Sequence, residues 1–160
     1  MKPTGGCRSG SAGERAPCQE RQVSALLLDT HIWLWYAEGA IDRLRPAHVK
    51  ILDETRRKHG LLVSAISVWE IGALSAKGRV QLSIPLRDWV AKALDVPGIH
   101  LAPLDAVSAA ESTLLPGRAH GDPADRFLIA TARTHGVALA TRDEEIIHYG
   151  KSGFLRVVEM

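Results

Sequence analysis

Short runs of consecutive apolar residues recur along this chain, each followed by a stretch whose apolar positions return every three or four residues. The first rhythm marks strands buried on both faces, the second amphipathic helices. Val23–Leu28 reads as a buried strand ending at Asp29. Pro46 stands at the favoured first position of a helix, with Val49, Leu52 and Thr55 on one face. Arg56, Arg57 and Lys58 fall near its C-terminal end, where positive charge suits the helix dipole, and Gly60 stops it. Leu61–Val63 is strand-like, and Ser64 or Ser67 caps a helix carrying Val68, Ile71 and Leu74. Pro85–Leu94 predicts a further helix, with Leu86, Val90 and Leu94 in register. Ile99–Leu104 is extended, and Asp105 caps a helix through Leu114. Asp122-Pro123-Ala124-Asp125 opens a helix that runs through His135 and ends at Gly136. Val137–Ala140 predicts a strand, Asp143–Tyr149 a short helix and Leu155–Glu159 a last strand. No internal repeat is visible.

This alternation predicts an α/β fold with a central, mostly parallel sheet flanked by helices on both faces. Ligands of such sheets sit beyond the carboxyl ends of the strands. Asp29 and Asp143 follow two of those ends, and Glu70 and Asp125 lie in helices after others.

Composition narrows the picture at one end of the chain. Residues 1–22 are rich in Gly, Ser and Pro, hold both cysteines (Cys7 and Cys18) and carry no hydrophobic periodicity. They lack the apolar stretch of a secretory signal, so a disordered tail, or a start codon assigned too early, is expected before a domain spanning residues 23–160. With both cysteines in the tail, a disulfide framework for the core is excluded, which suits a cytoplasmic address. No apolar run reaches the roughly 18 residues that a membrane span needs. The whole chain carries 20 basic and 18 acidic residues, but without its first 22 residues the count is 16 of each. Any attraction for phosphate must therefore come from local patches or from bound metal, not from a basic field.

The candidate chemistry rests on four carboxylates, Asp29, Glu70, Asp125 and Asp143, each in a strongly apolar stretch where a buried charge is costly unless compensated. If all four met within about 5 Å, each pair would repel by roughly 3 kcal/mol at an effective dielectric near 20. A marginally stable domain cannot carry six such pairs, so protons or cations must neutralise them. Oxygen ligands without cysteine or clustered histidine favour Mg²⁺ or Mn²⁺ over zinc. Phosphodiester hydrolysis by metal-activated water is the natural reaction of such a site. Each carboxylate also has a plainer role. Asp29 suits a helix cap, and Asp143 a turn with Thr141 and Arg142. Glu70 suits a solvated helix position and Asp125 the dipole of its helix. Asp122 is a better cap than ligand, because Pro123 then takes the first helical position.

Other signals are weaker. The seven histidines show no H-E-x-x-H spacing, and His31 lies in an apolar helix where packing is its expected role. Trp33, Trp35, Trp69 and Trp89 could stack bases, but core or subunit-interface packing is the stronger expectation. The glycines are too scattered for a phosphate-binding loop. A haloacid-dehalogenase-like phosphatase would need a second aspartate two residues after Asp29, where His31 stands.

Four ordered blocks add specificity. Leu28-Asp29-Thr30-His31-Ile32-Trp33-Leu34-Trp35 resembles the opening of bacterial PIN-domain toxins of the VapC type. Val63-Ser64-Ala65-Ile66-Ser67-Val68-Trp69-Glu70-Ile71 resembles their second block. The run from His120 through Asp122-Pro123-Ala124-Asp125-Arg126 to Ala132 resembles the third, and Leu139-Ala140-Thr141-Arg142-Asp143 the fourth. Gly121 and Ala124 depart from the pattern, which more often has a basic and an aromatic residue there. The resemblance implies a three-layer PIN-like fold and a metal-dependent endoribonuclease. It implies Asp29 and Asp125 as principal ligands of Mg²⁺ or Mn²⁺, with Glu70 and Asp143 completing the pocket directly or through water. Thr30 and Thr141 would support the ligands through their hydroxyls, and Arg126 would face phosphate or a neighbouring helix. It further implies the toxin half of a toxin–antitoxin pair, a homodimer acting on RNA and held in check by a VapB-type antitoxin. A PIN-like scaffold that binds RNA or a protein without cutting, and a metal-dependent phosphatase for small substrates, stay open as alternatives.

Overall fold

The computed structural model describes residues 25–160 except residue 41. The expectations for residues 1–22 fall outside that range, as do the first two residues of the strand expected from Val23.

Five strands, β1 (Leu26–Leu28), β2 (Leu61–Ser64), β3 (Ile99–Ala102), β4 (Ala138–Thr141) and β5 (Val157–Glu159), form one sheet in the order β3-β2-β1-β4-β5. Every neighbouring pair is parallel, so the sheet expected to be mostly parallel is wholly so. Seven helices connect and cover it: α1 (Thr30–Ala37), α2 (Pro46–Lys58), α3 (Ala65–Ala76), α4 (Leu86–Leu94), α5 (Ala106–Thr113), α6 (Pro123–Thr134) and α7 (Glu144–Lys151).

Alternation along β1 divides the core in two. Leu26 and Leu28 point to one face, where Leu61, Val63 and Ile99 meet Ile32 and Trp33 of α1, Leu52 of α2, Ile71 of α3 and Trp89 of α4. Leu27 points to the other, where Leu139 meets Leu128, Ile129 and Ala132 of α6 and Ile146 and Tyr149 of α7. All three residues of β1 are buried, because helices cover both faces. The result is the three-layer α/β sandwich expected from the strand–helix alternation.

Local chemistry sets the element boundaries. Pro46 starts α2 as the sequence predicts. Ser64, not Ser67, caps α3 by accepting from the Ile66 N–H, and Ser67 turns inward and is fully buried. Asp105 accepts from the Ser108 N–H to open α5. Leu86, Val90 and Leu94 pack against the core only partly, and the deepest positions of α4 are Trp89 and Ala93. Trp89 turns inward because its ring meets Trp33 edge to face, 5.0 Å between centroids.

The strand order carries the functional consequence. From β1 the chain moves outward through β2 to β3, then returns to lay β4 on the opposite side of β1. The connections on the two sides of this switch point leave in opposite directions, opening a crevice beyond the carboxyl ends of β1 and β4. Asp29 directly follows β1, and Asp143 stands two residues beyond β4.

Candidate active site

Asp29 leaves β1 with its backbone N–H donating to the Ala140 carbonyl of β4 (3.0 Å), so the crevice floor is an extension of the sheet ladder. The residue is 6% exposed, and its carboxylate does two things. Oδ1 accepts from the His31 N–H at 3.4 Å, capping α1, and Oδ2 accepts from the Thr141 hydroxyl at 2.5 Å. The same hydroxyl accepts from the Asp143 N–H at 2.9 Å. One buried threonine at the end of β4 therefore ties the residues after both central strands together.

Glu70 enters from α3. Its Oε2 accepts from the Thr30 hydroxyl at 2.7 Å, and Ser67 Oγ lies 3.0 Å from Thr30 Oγ1. A hydroxyl has one proton, so Thr30 donates to Glu70 and accepts from Ser67. Thr30 and Ser67 are fully buried, which fixes the Glu70 carboxylate against α1.

Asp125 enters from the first turn of α6, on the other side of the sheet. Its carboxyl is pushed up to about 7, first by burial and then by the negative charges of Asp29, Asp122 and Glu70, with His120 opposing the rise. Asp29, Asp122 and Glu70 are thus near enough for their charges to act on the Asp125 carboxyl. Asp122 is also the cap of α6, accepting from the Ala124 N–H at 2.7 Å, the role expected of it.

Asp143 stands at the rim. Its Oδ1 accepts from the Ile146 N–H at 2.9 Å and caps α7, so part of its donor capacity serves the helix. His120 bridges it to the centre, with Nδ1 3.0 Å from Asp125 Oδ2, and Nε2 3.7 Å from Asp143 Oδ1 and 3.2 Å from Glu145 Oε2. The Asp122 N–H also points at Nδ1, at 3.0 Å. One nitrogen cannot serve both neighbours as a donor and an acceptor. Protonated, Nδ1 donates to Asp125; bare, it accepts from Asp122 N–H or from a protonated Asp125.

A family model described as PIN domain matches residues 26–152. The chain belongs to the PIN-domain family. It is 33% identical over 125 residues to Ribonuclease VapC22 of Mycobacterium tuberculosis, covering 78% of this chain and 91% of that protein. The fold is similar to the structure of VapBC2 from Rickettsia felis bound to a promoter DNA fragment, with a TM-score of 0.63 and 14% identity over 84% of this chain and 98% of that one. It is also similar to DNA-bound VapBC from Salmonella typhimurium, with a TM-score of 0.57 and 14% identity over 85% of this chain and 98% of that one.

Within this PIN domain the donor chemistry of the described residues suits a hard divalent cation: several carboxylate oxygens, no cysteine, and a partly buried carboxyl that resists ionising beside its neighbours. The fit is one of charge and donor type. Among the described residues, no three His, Asp or Glu side chains stand together as a ready-made cage for an ion. His120 places a basic ring between Asp125 and Asp143.

Sequence reasoning named the four carboxylates and both threonines, but not the bridging role of His120 or the buried Ser67 behind Thr30. His120 gave no signal because its partners lie on two different helices. Among the described residues, Arg126 pairs with no acidic side chain. Its guanidinium donates to the Ser112 carbonyl at 2.9 Å and the His120 carbonyl at 3.4 Å, bracing the loop before α6. Ala124, where an aromatic residue is more common, is buried. It lines an apolar pocket of about 400 Å³ with Ala65, Ile66, Trp69, Leu104 and Phe127.

Proposed function

We propose that this PIN domain is a metal-dependent endoribonuclease, the toxin of a toxin–antitoxin pair, with Asp29, Glu70, Asp125 and Asp143 as its catalytic carboxylates. The observation that carries the reading is Asp125, a partly buried carboxyl bridged through His120 to Asp143 and raised first by burial, then by the charges of Asp29, Asp122 and Glu70. Kinship to Ribonuclease VapC22 supports RNA as the substrate. Asp29 and Asp125 would hold Mg²⁺ or Mn²⁺, with Glu70 and Asp143 completing the site. Such an ion, when bound, activates water and stabilises the leaving oxygen of a phosphodiester.

The chain's own residues hold the carboxylates in place. Thr141 fixes the Asp29 oxygen that does not cap α1, and Thr30, backed by Ser67, fixes Glu70. Burial of these hydroxyls removes the rotamer freedom that would otherwise blur the pocket. Asp122 holds the first turn of α6 and so the position of Asp125.

A protein partner suits the apolar surface beside the pocket. Trp69, adjacent to Glu70, is 63% exposed, whereas Trp33 and Trp89 are in the core. An exposed indole over an apolar pocket is the mark of a contact surface. We assign it to a second copy of the chain, and a VapB-type antitoxin to the control of this cytoplasmic enzyme.

The purified protein is expected to cleave structured RNA with Mg²⁺ or Mn²⁺ and to stop when the metal is chelated, read as fragments on a denaturing gel. Undiminished cleavage in excess EDTA would remove the metal from the mechanism. Hydrolysis of a generic phosphate ester, with RNA left intact, would favour the phosphatase alternative.

A further inference from the structure

Beside the acidic pocket, two arginines from distant parts of the chain gather on one aromatic ring. Trp35 of α1 is partly buried against the core. The Arg43 guanidinium carbon lies 5.8 Å from its ring centroid and that of Arg142 lies 5.5 Å away. Arg142 Nη1 also donates to the Arg43 carbonyl at 2.9 Å, tying the two segments together. The His31 ring adds a third side chain at 5.8 Å from Trp35. Arg43, Arg142 and His31 are all exposed.

Most other arginines with a side-chain contact here meet carbonyls or carboxylates. Arg56 and Arg133 pair with Asp53 and Glu111, and Arg126 and Arg156 donate to backbone. Among the described residues, neither Arg43 nor Arg142 has a carboxylate within 4.0 Å. Two like charges are instead held at one ring on the surface, each within about 6 Å of its centroid, which favours an anion beside them. A guanidinium held over an indole keeps N–H donors for an acceptor with two oxygens; Arg142 spends Nη1 on the Arg43 carbonyl and keeps the rest.

Position makes the choice of anion. Arg142 lies between Thr141 and Asp143, and His31 follows Asp29-Thr30, so the patch borders the crevice at the end of β1 and β4. A chain with 16 basic and 16 acidic residues after residue 22 has no general field to draw a polyanion. Local cations must do it.

We propose that Trp35, Arg43 and Arg142 form a clamp that grips a phosphodiester of the RNA strand next to the bond being cut. The proposal rests on the RNA-cleaving reading and adds the residues that hold the substrate backbone. Its ligand is the phosphate, not the base, so the clamp sets affinity and register without reading sequence.

The test uses the full chain carrying Asp125→Asn, so that RNA stays whole, with a fluorescein-labelled single-stranded oligoribonucleotide titrated by anisotropy in Mg²⁺ at several KCl concentrations. Arg43→Gln with Arg142→Gln should weaken binding about tenfold or more at low salt. The slope of log Kd against log salt should become shallower by about 1.4, or by about 0.7 for either single variant. Trp35→Leu keeps both charges but releases them from the ring, and should also weaken binding. Arg57→Gln, at the far end of α2 from the crevice, should bind as the parent does, and melting curves check that each variant is folded.

Unchanged affinity and slope in the double variant would overturn the clamp, as would Trp35→Leu binding like the parent. Loss of affinity for an acidic peptide with RNA binding intact would overturn it too, giving the pair to a protein partner. If the native chain cleaves no RNA and the Asp125→Asn chain binds none, the nuclease reading itself falls and the clamp with it.

Discussion

Asp125→Asn is expected to lose RNA cleavage by at least about a hundredfold while remaining folded, since even removing a group that merely supports a metal ligand typically costs ten- to a hundredfold. The carboxyl sits in the first turn of α6, partly buried and close enough to Asp29, Asp122 and Glu70 to feel their charge. Asparagine keeps its shape and removes its ionisable oxygen. Asp122→Ala should differ in kind. Asp122 accepts from the Ala124 N–H at 2.7 Å, so alanine should cost about 1 kcal/mol of stability with part of the activity retained. Cleavage rates and melting temperatures of the two variants separate the roles. An inactive Asp122→Ala beside an active Asp125→Asn would require the assignments to be exchanged.

The second large effect is on stability against pH in the absence of metal. The folded-state value of Asp125 is raised to about 7, while an unfolded aspartate titrates near 4. Between those values the folded chain binds more protons than the unfolded one, so stability falls as pH rises. The contribution of this group is fully present below about pH 4, is lost across the window, and is flat above it. Asp125→Asn removes that slope. Melting curves in EDTA at pH 5, 6, 7 and 8 should show the parent losing ground to Asp125→Asn up to about pH 7. A parent that gains on the variant over the same range would mean that Asp125 ionises more readily in the fold than outside it.

Much of this architecture is written locally in the chain. Pro46, Asp105 and Asp122-Pro123 announce helix starts because capping and proline geometry depend on neighbours a few residues away. The strands are legible because each is an apolar run between turn residues. The departures come where distant elements meet. The face of α4 turns toward Trp89 because Trp33, on another helix, offers an edge-to-face partner. The strand order β3-β2-β1-β4-β5 is invisible to periodicity, yet it makes the crevice.

The site divides the same way. The four carboxylates were conspicuous as charges in apolar stretches, and their company in four ordered blocks gave them roles. Asp29 caps α1, the plain role expected of it, whereas Asp143, expected in a turn, caps α7 instead. What local sequence could not reveal is the contact between them. The Thr141 hydroxyl reaches Asp29 across 112 residues, and His120 reaches Asp125 and Asp143 from a loop. Trp35 looked like one more packing residue because its arginines are 99 residues apart in the chain.

The claim at the centre of this account is that the carboxylates converge to hold a divalent cation, and four melting curves test it most directly: the parent and Asp125→Asn, each in chelator and in Mg²⁺ at neutral pH. A ligand that binds only the folded state stabilises it by mass action, about 2.7 kcal/mol at a hundred times its Kd. The expected result is that Asp125→Asn melts above the parent in chelator, that Mg²⁺ raises the parent markedly, and that it raises the variant much less. Asp125→Asn melting below the parent in chelator, with neither protein responding to Mg²⁺, would make Asp125 a structural helix residue and contradict the convergence.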